Sequence, residues 1–131
     1  MDTKSMNTTA LAYMGDAVYE IYIRQHVLEK EQVHVDQIHK AAIRYVKAAA
    51  QARVIKALMA AEGMLSPEEL SLVKRARNRK SASKPKNADP VEYKLATAFE
   101  ALLGYLYLTE NAERLAEIVA YAIAIIENEN K

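Results

Sequence analysis

The chain has 131 residues, no cysteine and a formal net charge of +1. That length fits one domain with its own core. Disulfides and thiolate metal sites are excluded, and so balanced a charge says nothing by itself about a nucleic-acid partner. No stretch approaches the roughly 18 uncharged apolar residues that span a bilayer, and the first residues, M-D-T-K-S-M-N-T-T, lack the apolar run of a signal peptide. A reducing, cytoplasmic setting with no membrane partner is the expectation.

Ala, Leu, Glu and Lys are abundant, and only three Gly and three Pro are present. No alternating strand pattern emerges, so the fold class read from the sequence is all-α, a helical bundle in one domain over residues 1–131. The first helix is predicted from Asn7–Thr9, where Asn and Thr can cap, to about Leu28. Its apolar residues Leu11, Met14, Val18, Ile21, Tyr22 and Ile23 go most of the way round, which suggests a central helix or a subunit interface as well as a core. After a polar connection at 30–34, a helix from Val35 carries Ile38, Ala41, Ala42, Tyr45 and Val46 inward, and a bend is expected near Val46–Ala48. The next run, Ala49 to about Glu62, has Ala52, Ile55, Leu58 and Met59 as its stripe and Gly63 as a stop. Ser66-Pro67-Glu68-Glu69 is a capping box with proline in the first turn, opening a helix to about Arg77. Residues 78–88 read as an exposed loop. Asp89-Pro90 repeats the cap-then-proline signal for a helix to about Thr109, and Asn111 opens the last one, with Leu115, Ile118, Val119, Ala122, Ile125 and Ile126 on its stripe.

Two carboxylates stand out because of what surrounds them. Asp16 is the acid of A-L-A-Y-M-G-D-A-V-Y, and Glu100 is the only acid of A-T-A-F-E-A-L-L-G-Y-L-Y-L. An ionised carboxylate in an apolar setting is costly without compensation. Each also has a helix-interior glycine nearby, Gly15 and Gly104, at a cost of roughly 1 kcal/mol relative to alanine. Close approach of the two backbones explains both glycines and brings the acids together. Two carboxylates at one site repel unless a cation lies between them, and oxygen ligands with retained waters suit Mg²⁺. The alternative is two separate buried acids satisfied by local hydrogen bonds.

These residues carry a family resemblance. Y-M-G-D-A-V-Y-E (13–20) resembles the signature helix of the ribonuclease III catalytic domain, and T-A-F-E-A-L-L-G-Y-L-Y-L (97–108) resembles its second acidic motif. With R-A-R-N-R-K-S-A-S-K-P-K-N-A-D (75–89) between them, the match is to the short bacterial branch, the Mini-ribonuclease III group, which lacks a double-stranded-RNA-binding domain. The resemblance runs roughly from Asn7 to Ala124. It implies the endonuclease domain of that family, working as a homodimer, with Asp16 and Glu100 as catalytic residues and as ligands of Mg²⁺. The implied reaction is hydrolysis of double-stranded RNA to 5′-phosphate and 3′-hydroxyl ends. The implied substrate is the large-subunit (23S) ribosomal RNA precursor, with a ribosomal protein as activator. Full-length members generally use four acids, and the two further positions here hold Ala12 and Thr97. The short group shares that reduction, and Thr97 is a candidate to act through a metal-held water.

Lys74, Arg75, Arg77, Asn78, Arg79, Lys80, Lys84 and Lys86 form the expected RNA-binding segment, free of acids. Phosphate contacts supply sequence-independent affinity, and A-form RNA is read by shape, phosphates and 2′-hydroxyls. The segment has no aromatic residue on which single-stranded bases would stack; the plainer reading is a solvated basic loop. Glu20 is read as a surface acid paired with Arg24 rather than an auxiliary ligand. His26, His34 and His39 are read as surface or capping residues, and the eight tyrosines mostly as core, with Tyr13 next to Asp16 on the helix and within reach of the site. Two rivals stay open: a non-catalytic RNA-binding or ribosome-assembly module on the same fold, and a helical interaction domain whose basic loop meets an acidic protein.

Overall fold

A helix that is apolar on nearly every side has to be wrapped by others, and α5 (Pro90–Leu108) is that helix. It buries Leu95, Ala98, Phe99, Ala101, Leu102, Leu103 and Leu106 against α1 (Thr8–Lys30), α3 (Ala48–Ala60) and α4 (Pro67–Asn78). Two more helices, α2 (Val35–Val46) and α6 (Ala112–Asn128), close the bundle. The computed structural model describes residues 2, 3, 5–30, 34–80 and 87–128, and among these it contains six helices and no strand. None of those helices is long and apolar enough to cross a membrane.

The punctuation follows the local chemistry. The Asn7 side chain accepts from the Thr9 amide at 2.7 Å, and Lys47 breaks the chain between α2 and α3 with ψ 150°. Ser66 and Glu69 form the reciprocal capping box of α4. Asp89 caps α5 by accepting from the Val91 and Glu92 amides, with Pro90 as the first helical residue. Gly63 takes φ +77° in the turn after α3, three residues beyond the last helical position. Lys84 and Lys86, and most of the loop expected over 78–88, lie outside the described residues.

Glu69 does more than cap. It is buried, and Arg114 of α6 grips it through Nε and Nη2, each at 2.9 Å. Burial works against its ionisation, but the Arg114 hydrogen bonds and charge, with the Ser66 contacts, hold its carboxyl below the usual range. Arg114 Nη2 also donates to the Met64 carbonyl at 2.6 Å, and Nη1 pairs with Glu117. The start of α4, the turn before it and α6 are thereby one unit.

Candidate functional site

The site begins where α1 crosses α5. A Cβ on Gly15 would fall on the backbone carbonyl of Glu100 and within 2.9 Å of the Gly104 nitrogen. A Cβ on Gly104 would fall on the carbonyl of Leu11 and within 3.0 Å of the Gly15 nitrogen. Neither position has room for any side chain, so the two main chains touch. Just above, Tyr19 and Phe99 pack edge to face at 5.1 Å, and the buried Tyr19 hydroxyl donates to the Tyr45 carbonyl at 3.1 Å. Burial raises the Tyr19 phenol above its ordinary value, so it stays a neutral donor.

This crossing brings together the two acids that the sequence places in separate apolar helices. The Asp16 and Glu100 carboxyls share a hydrogen bond. Asp16 lies on the exposed edge of α1, while Glu100 is half-buried. Burial, the facing Asp16 charge and their shared hydrogen bond push Glu100 up to about 8, against the Gln51 amide, which pulls it down. Glu100 therefore keeps its proton near neutrality when nothing else compensates the facing charge. Replacing that proton with a cation removes the repulsion, and two adjacent hard oxygen donors at a solvent edge fit Mg²⁺, which keeps several waters. Among the described residues no cluster of three or more His, Asp or Glu side chains is poised to hold a metal. A cation that demands an all-protein cage does not fit; one that accepts two carboxylates and water does.

Around the pair, the other family positions behave as their chemistry allows. Ala12 is buried. Thr97 donates its hydroxyl to the Tyr93 carbonyl of its own helix at 2.9 Å, so its proton is taken up locally. Glu20 pairs with Arg24 at 3.1 Å, the surface pairing expected at i, i+4. Tyr13 is 80% exposed, and Tyr107 and Tyr121 are exposed as well, so these three tyrosines lie outside the core.

Two polar groups were not foreseen. Gln51 is 3% exposed at the start of α3 and reaches Glu100. It shares a face with Ile55 and Leu58 at i+4 and i+7, and a polar residue on a buried stripe was the available signal. The other is Glu127 of α6, whose Oε2 takes hydrogen bonds from Tyr45 at 2.7 Å, His26 at 2.8 Å and Lys30 at 3.0 Å. His26 is accordingly not a surface or capping residue: it is half-buried between α1 and α6, edge to face with Tyr45 at 5.5 Å. His34 occupies the N-cap position of α2 without a side-chain cap bond, and His39 is exposed.

The basic segment begins on the last turns of α4, which ends one residue past the expected Arg77. Lys74, Arg75, Arg77 and Asn78 are on α4, Arg79 is its C-cap and Lys80 follows. All but Arg77 are exposed, and Arg77 Nε donates to Asn78 Oδ1 at 3.2 Å. A shallow groove joins Arg75, Asn78 and Arg79 to Met6, Asn7 and Thr8 at the start of α1. Asp16 is eight residues further along that helix, about 12 Å at the α-helical rise.

The chain is similar to known proteins in sequence and in fold. The Ribonuclease III domain profile matches residues 9–111, which include both acids. A Mini-ribonuclease 3 of Brevibacillus brevis is 52% identical over 98% of this chain and 94% of its own length. That of Streptococcus pneumoniae is 46% identical over 97% and 98% respectively. A Fusobacterium nucleatum protein of known crystal structure superposes with a TM-score of 0.80 at 30% identity, covering 94% of this chain and 96% of that one. With a crossing that joins two acids, an all-helical fold and relatives alike end to end, the chain belongs to the ribonuclease III family, within its Mini-ribonuclease 3 branch.

Proposed function

We propose that this ribonuclease is a Mg²⁺-dependent endonuclease of double-stranded RNA, with Asp16 and Glu100 as its catalytic, metal-holding pair. The observation that carries the reading is the glycine-to-glycine crossing, which presses two acids from separate helices into hydrogen-bond contact at a solvent edge. The 131 residues act as one catalytic domain in the cytoplasm, paired as a homodimer so that one site serves each RNA strand. The products carry 5′-phosphate and 3′-hydroxyl ends, and the large-subunit (23S) ribosomal RNA precursor is the substrate that the family resemblance favours.

The chain's own residues divide the work. Asp16 and Glu100 supply the anionic oxygens, and the backbone contact beneath them fixes their separation. Mg²⁺ held by these two carboxylates would supply an activated water and offset negative charge at the phosphodiester. Lys74, Arg75, Arg77, Asn78, Arg79 and Lys80, together with Lys84 and Lys86, grip the phosphates of the duplex. Of these, Arg75, Asn78 and Arg79 line a groove with the start of α1, so a duplex along that groove would reach toward Asp16.

The test is a long RNA duplex incubated with the protein in Mg²⁺ and in EDTA. Cleavage is expected only with Mg²⁺. Asp16→Asn and Glu100→Gln are each expected to keep duplex binding and lose on the order of 10³-fold or more in turnover. Near-parental turnover of either variant at saturating Mg²⁺ overturns the site assignment. Ala12 and Thr97 at the other two acid positions favour one rival, an RNA-binding module on the same fold. A gel shift without cleavage selects it.

A further inference from the structure

Gln51 is a buried amide with an arrangement that packing alone does not explain. Its Nε2 donates to the Val46 carbonyl at 2.8 Å and lies 3.4 Å from Glu100 Oε2. Its Oε1 is buried without any donor. A carbonyl only accepts, so the Val46 contact fixes which end of the amide faces the α2–α3 corner. The donor is thus held toward the carboxylate, and the acceptor is left unpaired at a cost of roughly 1–3 kcal/mol. A Leu or Met of similar volume would fill the same space without that unpaired oxygen, but would take the donor away from the Val46 carbonyl. An apolar residue could supply neither the Val46 hydrogen bond nor the second proton on Nε2, and it is the second proton that is aimed at Glu100.

We propose that Gln51 is a positioning residue that holds Glu100 in the orientation able to take a divalent cation, linking the α2–α3 corner to the carboxylate pair. This rests on the reading of Asp16 and Glu100 given above. Val46 anchors the amide through the main chain, so the hold on Glu100 is as rigid as the corner itself. Gln51 touches neither RNA nor metal; it acts through Glu100.

The test is Mg²⁺ binding to the intact protein without RNA, followed by calorimetry, for the parent, Gln51→Met and Glu100→Gln. Gln51→Met is expected to unfold as cooperatively as the parent, because it keeps the volume and its loss of the Val46 hydrogen bond is offset by removal of the unpaired oxygen. Its Mg²⁺ affinity is expected to fall about tenfold, the lower range for losing a group that orients a metal ligand. Parental affinity in Gln51→Met, with affinity lost in Glu100→Gln, overturns the role of Gln51 alone. Unchanged affinity in Glu100→Gln overturns the metal site and this proposal with it. A measurement on the parent protein covers the case in which Met disturbs the corner: the Gln51 side-chain amide resonances are expected to shift as Mg²⁺ saturates. Resonances that stay fixed overturn the proposal.

Discussion

Gly104 is where a single methyl group decides between opposing effects. Alanine in a helix interior gains about 1 kcal/mol over glycine. Here the added carbon lands on the Leu11 carbonyl, and main chain cannot move aside as a flexible side chain would. Overpacking typically costs about 1–3 kcal/mol, and a backbone obstacle places Gly104→Ala at or above the upper end. The variant is expected to lose about 3 kcal/mol or more in urea unfolding, along with the Asp16–Glu100 contact; parental stability would show that the helices do not cross so closely. The two glycines were legible in the sequence because each sits beside an acid in an apolar helix, where only a close approach gives it a purpose. Gln51 was not, because a lone glutamine in an alanine-rich helix looks like any solvated residue until Ile55 and Leu58 place it on the buried face. Glu20 was readable, since its partner Arg24 lies one turn away on the same helix.

Helix boundaries were read to within one or two residues wherever a side chain enforces them, as at Ser66, Asp89 and Asn7. What sequence periodicity could not give is the polar joint between helices. Glu127 sits near the end of α6, where an acid is poorly placed with respect to the helix dipole. Tyr45 from α2 and His26 and Lys30 from α1 converge on its Oε2 from sequence positions about a hundred residues away, while Arg44 donates to the Ile126 carbonyl at 3.2 Å. Burial opposes ionisation of Glu127, but the hydrogen bonds from His26, Tyr45 and Lys30 and the Lys30 charge outweigh it, lowering the carboxyl to about 2. On the other side of the contact, burial and then the Glu127 hydrogen bond and charge push the Tyr45 phenol up to about 12, so it remains a donor. A depressed carboxyl stabilises the fold above its unfolded value of 4.5 and loses that contribution as pH falls toward 2. Glu127→Gln is therefore expected to be less stable than the parent at pH 7 by about 1–2 kcal/mol, a figure kept low because the group is partly exposed and screened. The gap is expected to shrink as pH drops from about 4.5 to 2. Denaturant unfolding at pH 7, 4 and 2.5 checks this; a gap that stays constant over that range overturns it.

At the scale of the whole molecule, an apolar surface along α1 remains uncovered among the described residues. Tyr13, Ala17, Ile21 and Leu28 repeat along α1 at spacings of four, four and seven, a single stripe, and Ile21 is 67% exposed. The stripe continues across a groove lined by Val18, Tyr22, Tyr107, Leu108 and Leu115, where α1 meets the end of α5 and the start of α6. Scattered exposed apolar residues are ordinary, but a contiguous stripe with an adjoining groove is the mark of an interface. The sequence showed that α1 is apolar most of the way round, and the fold accounts for only the inward part of it. A second copy presenting the same face would cover the remainder, as two-fold pairing requires. It would also place one Asp16–Glu100 pair in each protomer, since Asp16 is only three residues from Tyr13 on the same helix. Stable interfaces bury roughly 1,200–2,000 Å² in total, and a charge at the centre of such a surface is strongly disfavoured when unpaired. Ile21→Glu is accordingly expected to convert a dimer to a monomer in sedimentation at concentrations on the order of tens of micromolar. The fold should survive, because the side chain is exposed within one chain and substitutions at such positions usually change stability by less than about 0.5 kcal/mol; unchanged far-UV circular dichroism would verify that. A parent protein that sediments only as a monomer would remove the dimer altogether. A variant that stays dimeric would move the interface off this stripe, and with it the pairing of two sites across one RNA duplex.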